Sequence, residues 1–321
     1  MVLYLSVMKK EKSNLLNGGF DLIGDIHGHA APLRRLLGRL GYEETDGCYR
    51  HPERRVIFLG DFIDRGPAIR ETLRIVRSMI DAGAALAVMG NHEFNALCYH
   101  TKDEAGSPLR ANSEKNRIQH QATLDAFADY PGEWRDYLDW FLTLPLYLEM
   151  PGFRVVHAAW DAGHIATLGI HDRLDESLLH KAARRGTPEY RAVDVLLKGL
   201  EIPLPDGRKI ADKHGHLRSE IRTRWWLTAD GHTYRDLILP ADDTVPALPV
   251  SSHHAGKLTG YAADAPPVFV GHYWLPSDHP KAPLAANVVC VDYSVAKGGP
   301  LVAYRWEGDG DLLTERFVDS N

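Results

Sequence analysis

The chain has 321 residues, 44% of them hydrophobic and 25% charged, with a formal net charge of −6. That balance suits a globular protein with ample length for a core, and it argues against a nucleic-acid coat, stable nucleic-acid binding or a basic membrane-surface protein. Three scattered cysteines, Cys48, Cys98 and Cys290, suggest neither a disulfide framework nor a cysteine zinc site, and fit a reducing, cytoplasmic location.

Residues 1–19 place a short apolar patch ahead of lysines. A secretory signal has the reverse order and a membrane span needs roughly 20 apolar residues, so this segment reads as a tail or an edge strand. Residues 20–24 (FDLIG) read as a buried strand, followed by a helix with Leu33, Leu36, Leu37 and Leu40 at helical spacing. Residues 55–59 (RVIFL) are the next strand, Ile69, Leu73, Val76 and Ile80 mark a second helix, and 84–89 (AALAVM) form a third strand. Apolar strands alternating with helices indicate an α/β chain with a mostly parallel sheet. Lys115 to Leu144 reads as helix broken at Pro131-Gly132, and 146–150 with 153–158 as a hairpin around Pro151-Gly152. Strands are expected again at 267–272, 287–293 and 300–306. The stretch at about 161–262 is rich in Gly, Pro, His and charge, too long for a plain loop, and reads as an insertion or cap within a single domain spanning 20–321.

Polar clusters close five of these strands. They are GDIHG with Asp25 and His27, GDFIDRG with Asp61, Asp64 and Arg65, GNHE with Asn91, His92 and Glu93, then His157 and His272. The crevice beyond strand carboxyl ends is the usual ligand site of open α/β sheets. Carboxylate with imidazole suits zinc, iron or manganese, and one carboxylate can bridge metals about 3.5–4 Å apart.

The ordered set GDIHG, GDFIDRG, GNHE, a lone histidine after a strand, then GH resembles the calcineurin-like metallophosphoesterases. The DRG resembles their phosphoprotein phosphatase (PPP)-like bacterial branch, related to the symmetrical dinucleoside tetraphosphatases. The resemblance covers about 20–160 and 266–306. It implies a central β-sandwich flanked by helices (α/β/β/α) with a cap-like insertion, and two divalent metal ions, with manganese placed ahead of iron or zinc. It assigns Asp25 and His27 to one metal, Asp61 to the bridge, and Asn91, His157 and His272 to the other. It makes His92 the general acid, Asp64 its orienting partner and Arg65 a phosphate clamp. Trp274 stands where the broader superfamily has a second histidine, as the PPP-like branch does. That branch also uses a second arginine from the inserted region. Arg222 and Arg224, beside Trp225 and Trp226, read first as solvated residues on a tryptophan-packed cap and second as the place to seek it.

The implied activity is that of a phosphomonoesterase using a metal-activated water for direct in-line attack on phosphorus. Alternatives are a dinucleoside polyphosphate hydrolase, a nucleic-acid end phosphatase or phosphodiesterase, and a catalytically dead scaffold, which the intact ligand set and His92 argue against. A cysteine phosphatase built on Cys48 and Arg54 is disfavoured, because the intervening YRHPE has no glycine and Pro52 removes a donor. His214, His216, His253 and His254 read as loop residues.

Overall fold

The computed structural model describes residues 18–211, 217–308 and 311–321. The N-terminal segment up to residue 17, and His214 and His216, lie outside them. Strands β1 (Gly19–Ile23), β4 (Arg54–Phe58) and β5 (Ala85–Ala87) pair in parallel, with Leu22 opposite Ile57 and Val56 opposite Ala85. Between β1 and β4 lies a hairpin of an exposed strand, β2 (Glu43–Thr45), and a strand that buries Cys48 and Tyr49, β3 (Cys48–Arg50). A second sheet starts with the hairpin β6 (Tyr147–Met150) and β7 (Phe153–Val156). The strands β8 (Glu201–Pro203), β9 (Ile210–Ala211), β10 (Leu217–Arg218) and β11 (Glu220–Arg222) form two small pairs. Strands β12 (Val268–Val270) and β13 (Val288–Cys290) join the second sheet, in the order β13-β12-β7-β6. Finally β14 (Val302–Trp306) and β15 (Phe317–Asp319) return to the first sheet, in the order β15-β14-β1-β4-β5.

The two sheets pack face to face through aromatic rings. Phe20, Tyr304 and Trp306 of the first sheet meet Phe153 and Phe269 of the second, with centroids 5.3 to 5.7 Å apart. Such tilted pairs add to the area they bury, which makes this seam the centre of the core. Helices α1 (Ala30–Arg39) and α2 (Ile69–Asp81) bury Leu33, Leu36 and Leu37 of the first predicted stripe, with Leu40 buried just past the helix end, and Ile69, Leu73 and Val76 of the second, where Met79 is buried and the predicted Ile80 only partly so. Asp21 of β1 is fully buried and accepts from Tyr42 Oη at 3.1 Å and from Arg54 Nε and Arg305 Nε at 3.0 Å. Arg54 is thus committed to Asp21 and builds no phosphate cradle with Cys48.

The predicted helical stretch is α4 (Glu114–Ala126) and α5 (Pro131–Phe141), after α3 (Asn91–His100). Pro131 opens α5 rather than ending α4, as fits its preference for the first helical turn. The 161–262 region carries more regular structure than its composition suggested. Helices α6 (Ala162–Leu168), α7 (Glu176–Ala183) and α8 (Pro188–Lys198) are each capped by a side chain, Asp161, Asp175 and Thr187. Two short helices, α9 (Tyr234–Leu237) and α10 (Ser252–Ala255), follow. The region is tied to the second sheet: Ala158 N–H donates to Leu196 O at 2.9 Å, and Arg154 donates to Tyr261 Oη at 3.0 Å. Among the described residues no helix is long and apolar enough to cross a membrane.

Cys48, Cys98 and Cys290 are unpaired and buried. Burial pushes the Cys98 thiol up to about 12, and the Cys290 thiol up as well. Thiolate, not thiol, reacts with alkylating agents. Iodoacetamide at pH 8 is therefore expected to leave the native protein unlabelled and to label three sites after unfolding. Mass spectrometry of both samples checks this, and native-state labelling at Cys98 would contradict it.

Candidate metal centre

The loops after β1, β4, β5, β7 and β12 converge at one end of the sandwich. Backbone bonds lock them together before any side chain acts. Ile26 and His27 N–H both donate to Asp61 O, at 3.1 and 2.8 Å, and Gly28 N–H donates to Phe62 O at 2.8 Å. Gly271 N–H donates to His157 O at 2.9 Å, and His272 N–H donates to the Asp25 carboxylate at 3.1 Å, which joins the two sheets. A Cβ on Gly271 would lie 2.1 Å from Asp25 Oδ1, and one on Gly90 would lie 2.3 Å from Asp61 Oδ1, so glycine is required at both. Among the described residues nine non-glycine residues have positive φ, and six of them, His27, Asp61, Asp64, Arg65, His272 and Trp274, belong to these site loops, with Ser294 in the loop after β13. Left-handed backbone at non-glycine residues is costly and gathers at functional sites.

Asp25, His27, Asp61, Asn91, His92, His157 and His272 are all buried. Two donor sets, His27 with Asp61 and His92, and Asp25 with Asp61 and His157, each lie within 4.8 Å and share Asp61. The histidines are presented by their far nitrogens. His27 Nδ1–H donates to Ile63 O at 2.9 Å and His157 Nδ1–H to Leu59 O at 2.6 Å, which turns each Nε2 inward. His27 Nε2 is 3.6 Å from Asp61 Oδ2, and His157 Nε2 is 3.5 Å from Asp61 Oδ1. Asn91 Oδ1 lies 2.7 Å from His272 Nδ1 and 3.2 Å from His157 Nε2.

These residues fit divalent cations. His27 Nε2 and His272 Nε2 are buried with no hydrogen-bond partner, a costly state unless something coordinates there. Burial and the neighbouring His92 push His27 down to about 3, so its ring is neutral, the form that binds metal. Burial and the Asp292 carboxylate hold Asp25 well above the usual carboxylate range. Burial works against charge on His157, but the Asp61 carboxylate outweighs it and lifts the ring to about 10. Crowded carboxylates that retain protons are the electrostatic signature of missing positive charge, which bound cations reverse.

The flanking groups hold a second set of contacts. His92 Nδ1–H donates to Asp64 Oδ2 at 2.5 Å, so its Nε2 faces the centre, 3.9 Å from Asp61 Oδ2. Arg65 is exposed at the rim, its guanidinium 4.2 Å over the Trp274 ring, and Lys297 Nζ lies 4.1 Å over the same ring. A cavity of about 830 Å³ opens beside them, lined in part by Arg65, Arg218, Arg222, Trp274 and Lys297. Arg222 is close enough to depress His272, behind burial as the main cause. Arg224 is not among the lining residues, and its backbone N–H pairs with Leu237 O at 2.6 Å. His253 and His254 lie on the short helix α10 and belong to neither donor set.

Two site residues had no assigned role in the sequence. Glu93 is fully buried, and its carboxylate accepts from Asp61 N–H and Phe62 N–H at 2.8 Å and from Gly90 N–H at 3.0 Å. It staples the second loop to the third. Its position three residues after Gly90, at the start of α3, lets it reach back to the Gly90 N–H, the half of a capping box that a glycine allows, and that spacing could have been read. Asp292 accepts from Trp274 N–H at 2.7 Å and Ser294 N–H at 3.0 Å, and so holds the loop bearing His272 and Trp274.

Residues 20–233 match the family described as calcineurin-like phosphoesterase. The chain belongs to that family. The match runs into the 161–262 region, further than the motifs alone reached. The chain is 38% identical over 110 residues to the asymmetrical bis(5′-nucleosyl)-tetraphosphatase PrpE of Halalkalibacterium halodurans, covering 31% of this chain and 45% of that one. It is 25% identical over 309 residues to the symmetrical bis(5′-nucleosyl)-tetraphosphatase of Vibrio parahaemolyticus, covering 93% and 98%. The chain spans about half the length of the PrpE relatives it matches first. A protein serine/threonine phosphatase from Saccharomyces cerevisiae shares the fold, with a TM-score of 0.51 at 12% identity over 94% of this chain and 79% of that one. The calcineurin-like fold expected from the motifs is therefore the fold of this family, and a divalent metal pair is what the family and the His/Asp cluster together imply.

Proposed function

We propose that this protein is a metal-dependent phosphoester hydrolase that cleaves phosphomonoesters by direct attack of water on phosphorus. The convergence of Asp25, His27, Asp61, Asn91, His157 and His272, with His27 Nε2 buried and partnerless, carries this reading. In it Asp25 and His27 would hold one cation and Asn91, His157 and His272 the other, with Asp61 shared by both, although by distance alone Asp25 groups with His157 and His27 with His92. The pair, when bound, supplies Lewis acidity and a water ionised near neutral pH. Manganese is the proposed ion, with iron and zinc the alternatives that the same donors accept.

The chain's own groups do the rest. Arg65, with its guanidinium at the cavity rim, and Arg222 on the wall nearest His272 hold the phosphoryl oxygens in line with the water. His92 Nε2 gives its proton to the leaving oxygen as the P–O bond breaks, while Asp64 keeps Nδ1 protonated. Arg222 thus takes the role that the sequence left open between Arg222 and Arg224. The 161–262 region, which supplies Arg218 and Arg222, acts as a cap within a single domain and shapes the substrate site. A reducing, cytoplasmic location belongs to the same proposal and rests on the three unpaired, buried cysteines.

A second reading, hydrolysis of a dinucleoside polyphosphate, is favoured by the cavity. Arg65, Arg218, Arg222 and Lys297 line it together with Glu201, Glu220, Asp242, Asp243 and Asp278, and Arg222 Nε lies 3.5 Å from Glu201 Oε1, so it is the room for a phosphate chain, not an excess of cations, that supports this reading. Assaying the manganese-loaded protein on an aryl phosphate, a phosphopeptide, a dinucleoside tetraphosphate and a 3′-phosphorylated oligonucleotide tests both. Turnover of the aryl phosphate is expected, and the highest kcat/KM names the substrate class. No turnover of any substrate by metal-loaded protein would overturn the hydrolase reading.

A further inference from the structure

Asp64 has more partners than a histidine–aspartate pair needs. Oδ2 receives His92 Nδ1–H at 2.5 Å. Oδ1 receives His120 Nδ1–H at 2.7 Å and the Thr123 hydroxyl at 2.6 Å, and Thr123 Oγ1 accepts the Asp64 N–H at 3.0 Å. A carboxylate can only accept, so both histidines must present protonated Nδ1 atoms to it. Burial opposes charge on Asp64, but the bonds from His120 and His92 outweigh it and hold its pKa below the usual range.

His120 and Thr123 come from α4, one turn apart on one face. They are the only buried residues of that helix, while Ala122 and Ala126 are partly buried against the core and Ile118 is exposed. Surface helices commonly dock by an apolar stripe, and this one adds to its two alanines a pair of hydrogen-bonding side chains aimed at one carboxylate. The far side of the His120 ring is boxed in as well. Its Nε2 is 3.4 Å from His100 Nε2, which accepts the Trp134 Nε1–H at 3.1 Å, and the His120 ring sits 5.4 to 5.8 Å from those of Tyr99, His100 and Trp134. The imidazole therefore has one place to stand. Asp64 itself has left-handed backbone, φ 68°, so its side-chain direction needs such an external hold.

We propose that His120, together with Thr123, is a positioning residue for the proton donor: it pins Asp64 Oδ1 so that Oδ2 aims His92 Nε2 at the leaving oxygen. This rests on the reading of His92 as the general acid. A loose Asp64 would still leave the metal ligands and Arg65 in place, so the defect would fall on the proton transfer alone.

A leaving-group series separates that from general damage. p-Nitrophenolate leaves with little help from an acid, whereas phenolate and alkoxides need the proton. His120→Ala is expected to lower kcat on phenyl phosphate by about 10²-fold, to lower it far less on p-nitrophenyl phosphate, and to leave KM and metal content near wild type. His120→Asn keeps an N–H near the position of Nδ1 and is expected to restore most of the loss. Thr123→Val, which keeps the shape and removes the hydroxyl, should show the same selectivity in weaker form, and serves if His120→Ala fails to fold. Equal losses on both substrates, or none, in the folded variants would overturn the proposal. His92→Ala run alongside tells the two readings apart. If it shows no leaving-group dependence, the general-acid reading fails; if it does and the His120 and Thr123 variants do not, the positioning role alone fails.

Discussion

Asp61→Asn is expected to lower kcat/KM on the order of 10³-fold and to strip metal from the purified protein, while leaving the fold intact. Asp61 is the one residue common to both donor sets. Its two oxygens face different histidines, and Oδ1 also accepts the His92 N–H at 2.9 Å. Burial opposes its charge, but His157 and His92 outweigh burial and keep it ionised. Asparagine preserves the volume and one carbonyl oxygen but removes the negative charge and replaces an acceptor by a donor. Metal analysis, a thermal melt and aryl phosphate turnover check the three parts of the expectation. Full metal content with a wild-type rate would remove Asp61 from the proposed bridge.

Glu93→Ala is expected to cost stability as well as activity. Three buried backbone N–H groups end on this carboxylate. Leaving each without a partner costs about 1–3 kcal/mol, so a loss of at least about 3 kcal/mol in urea denaturation is the expected result. Turnover should fall with it, because two of those N–H groups belong to Asp61 and Phe62 and fix where Asp61 points. Glu93→Gln is no rescue, since its amide places a donor against the N–H groups of the loop. Burial and the Asp61 carboxylate together push Glu93 up to about 7, so cations bound beside Asp61 are expected to favour the ionised form that the three donors want. A loss below about 1 kcal/mol for Glu93→Ala would show that the loops hold each other without it.

What the sequence disclosed follows physical rules that differ from element to element. Strands β1 and β4 were legible because both faces are buried, which leaves near-continuous apolar runs such as Val56–Leu59. The donor residues were legible because each closes such a run. The β2–β3 hairpin was not, since its first strand is fully exposed and has no apolar alternation. Its signal was the turn pair Asp46-Gly47, both at positive φ. Helices α6, α7 and α8 were hidden by composition, although Asp161, Asp175 and the Thr187-Pro188 pair mark their starts. His120 had no local sign at all. It lies 56 residues from Asp64 in a helix that fully buries no apolar residue, and only the folded chain brings the two together. Arg222 and Arg224 are two residues apart and looked equivalent. The backbone direction of β11 and the turn after it put one on the cavity wall and the other away from it.

The left-handed residues of the site loops set a conflict between two kinds of selection. Glycine at Asp64, Arg65 or His272 would relax a strained backbone and remove a group the proposed reaction needs. Variants of this protein selected for heat resistance alone are therefore expected to gather changes at these positions and to emerge inactive, whereas selection for turnover holds the strain in place. The hydrogen bonds that Glu93 and Asp292 accept from Asp61 N–H and Trp274 N–H keep those loops from relaxing on their own. In engineering terms, the room for stabilisation lies in the rest of the fold, and the strained loops are the part to leave untouched.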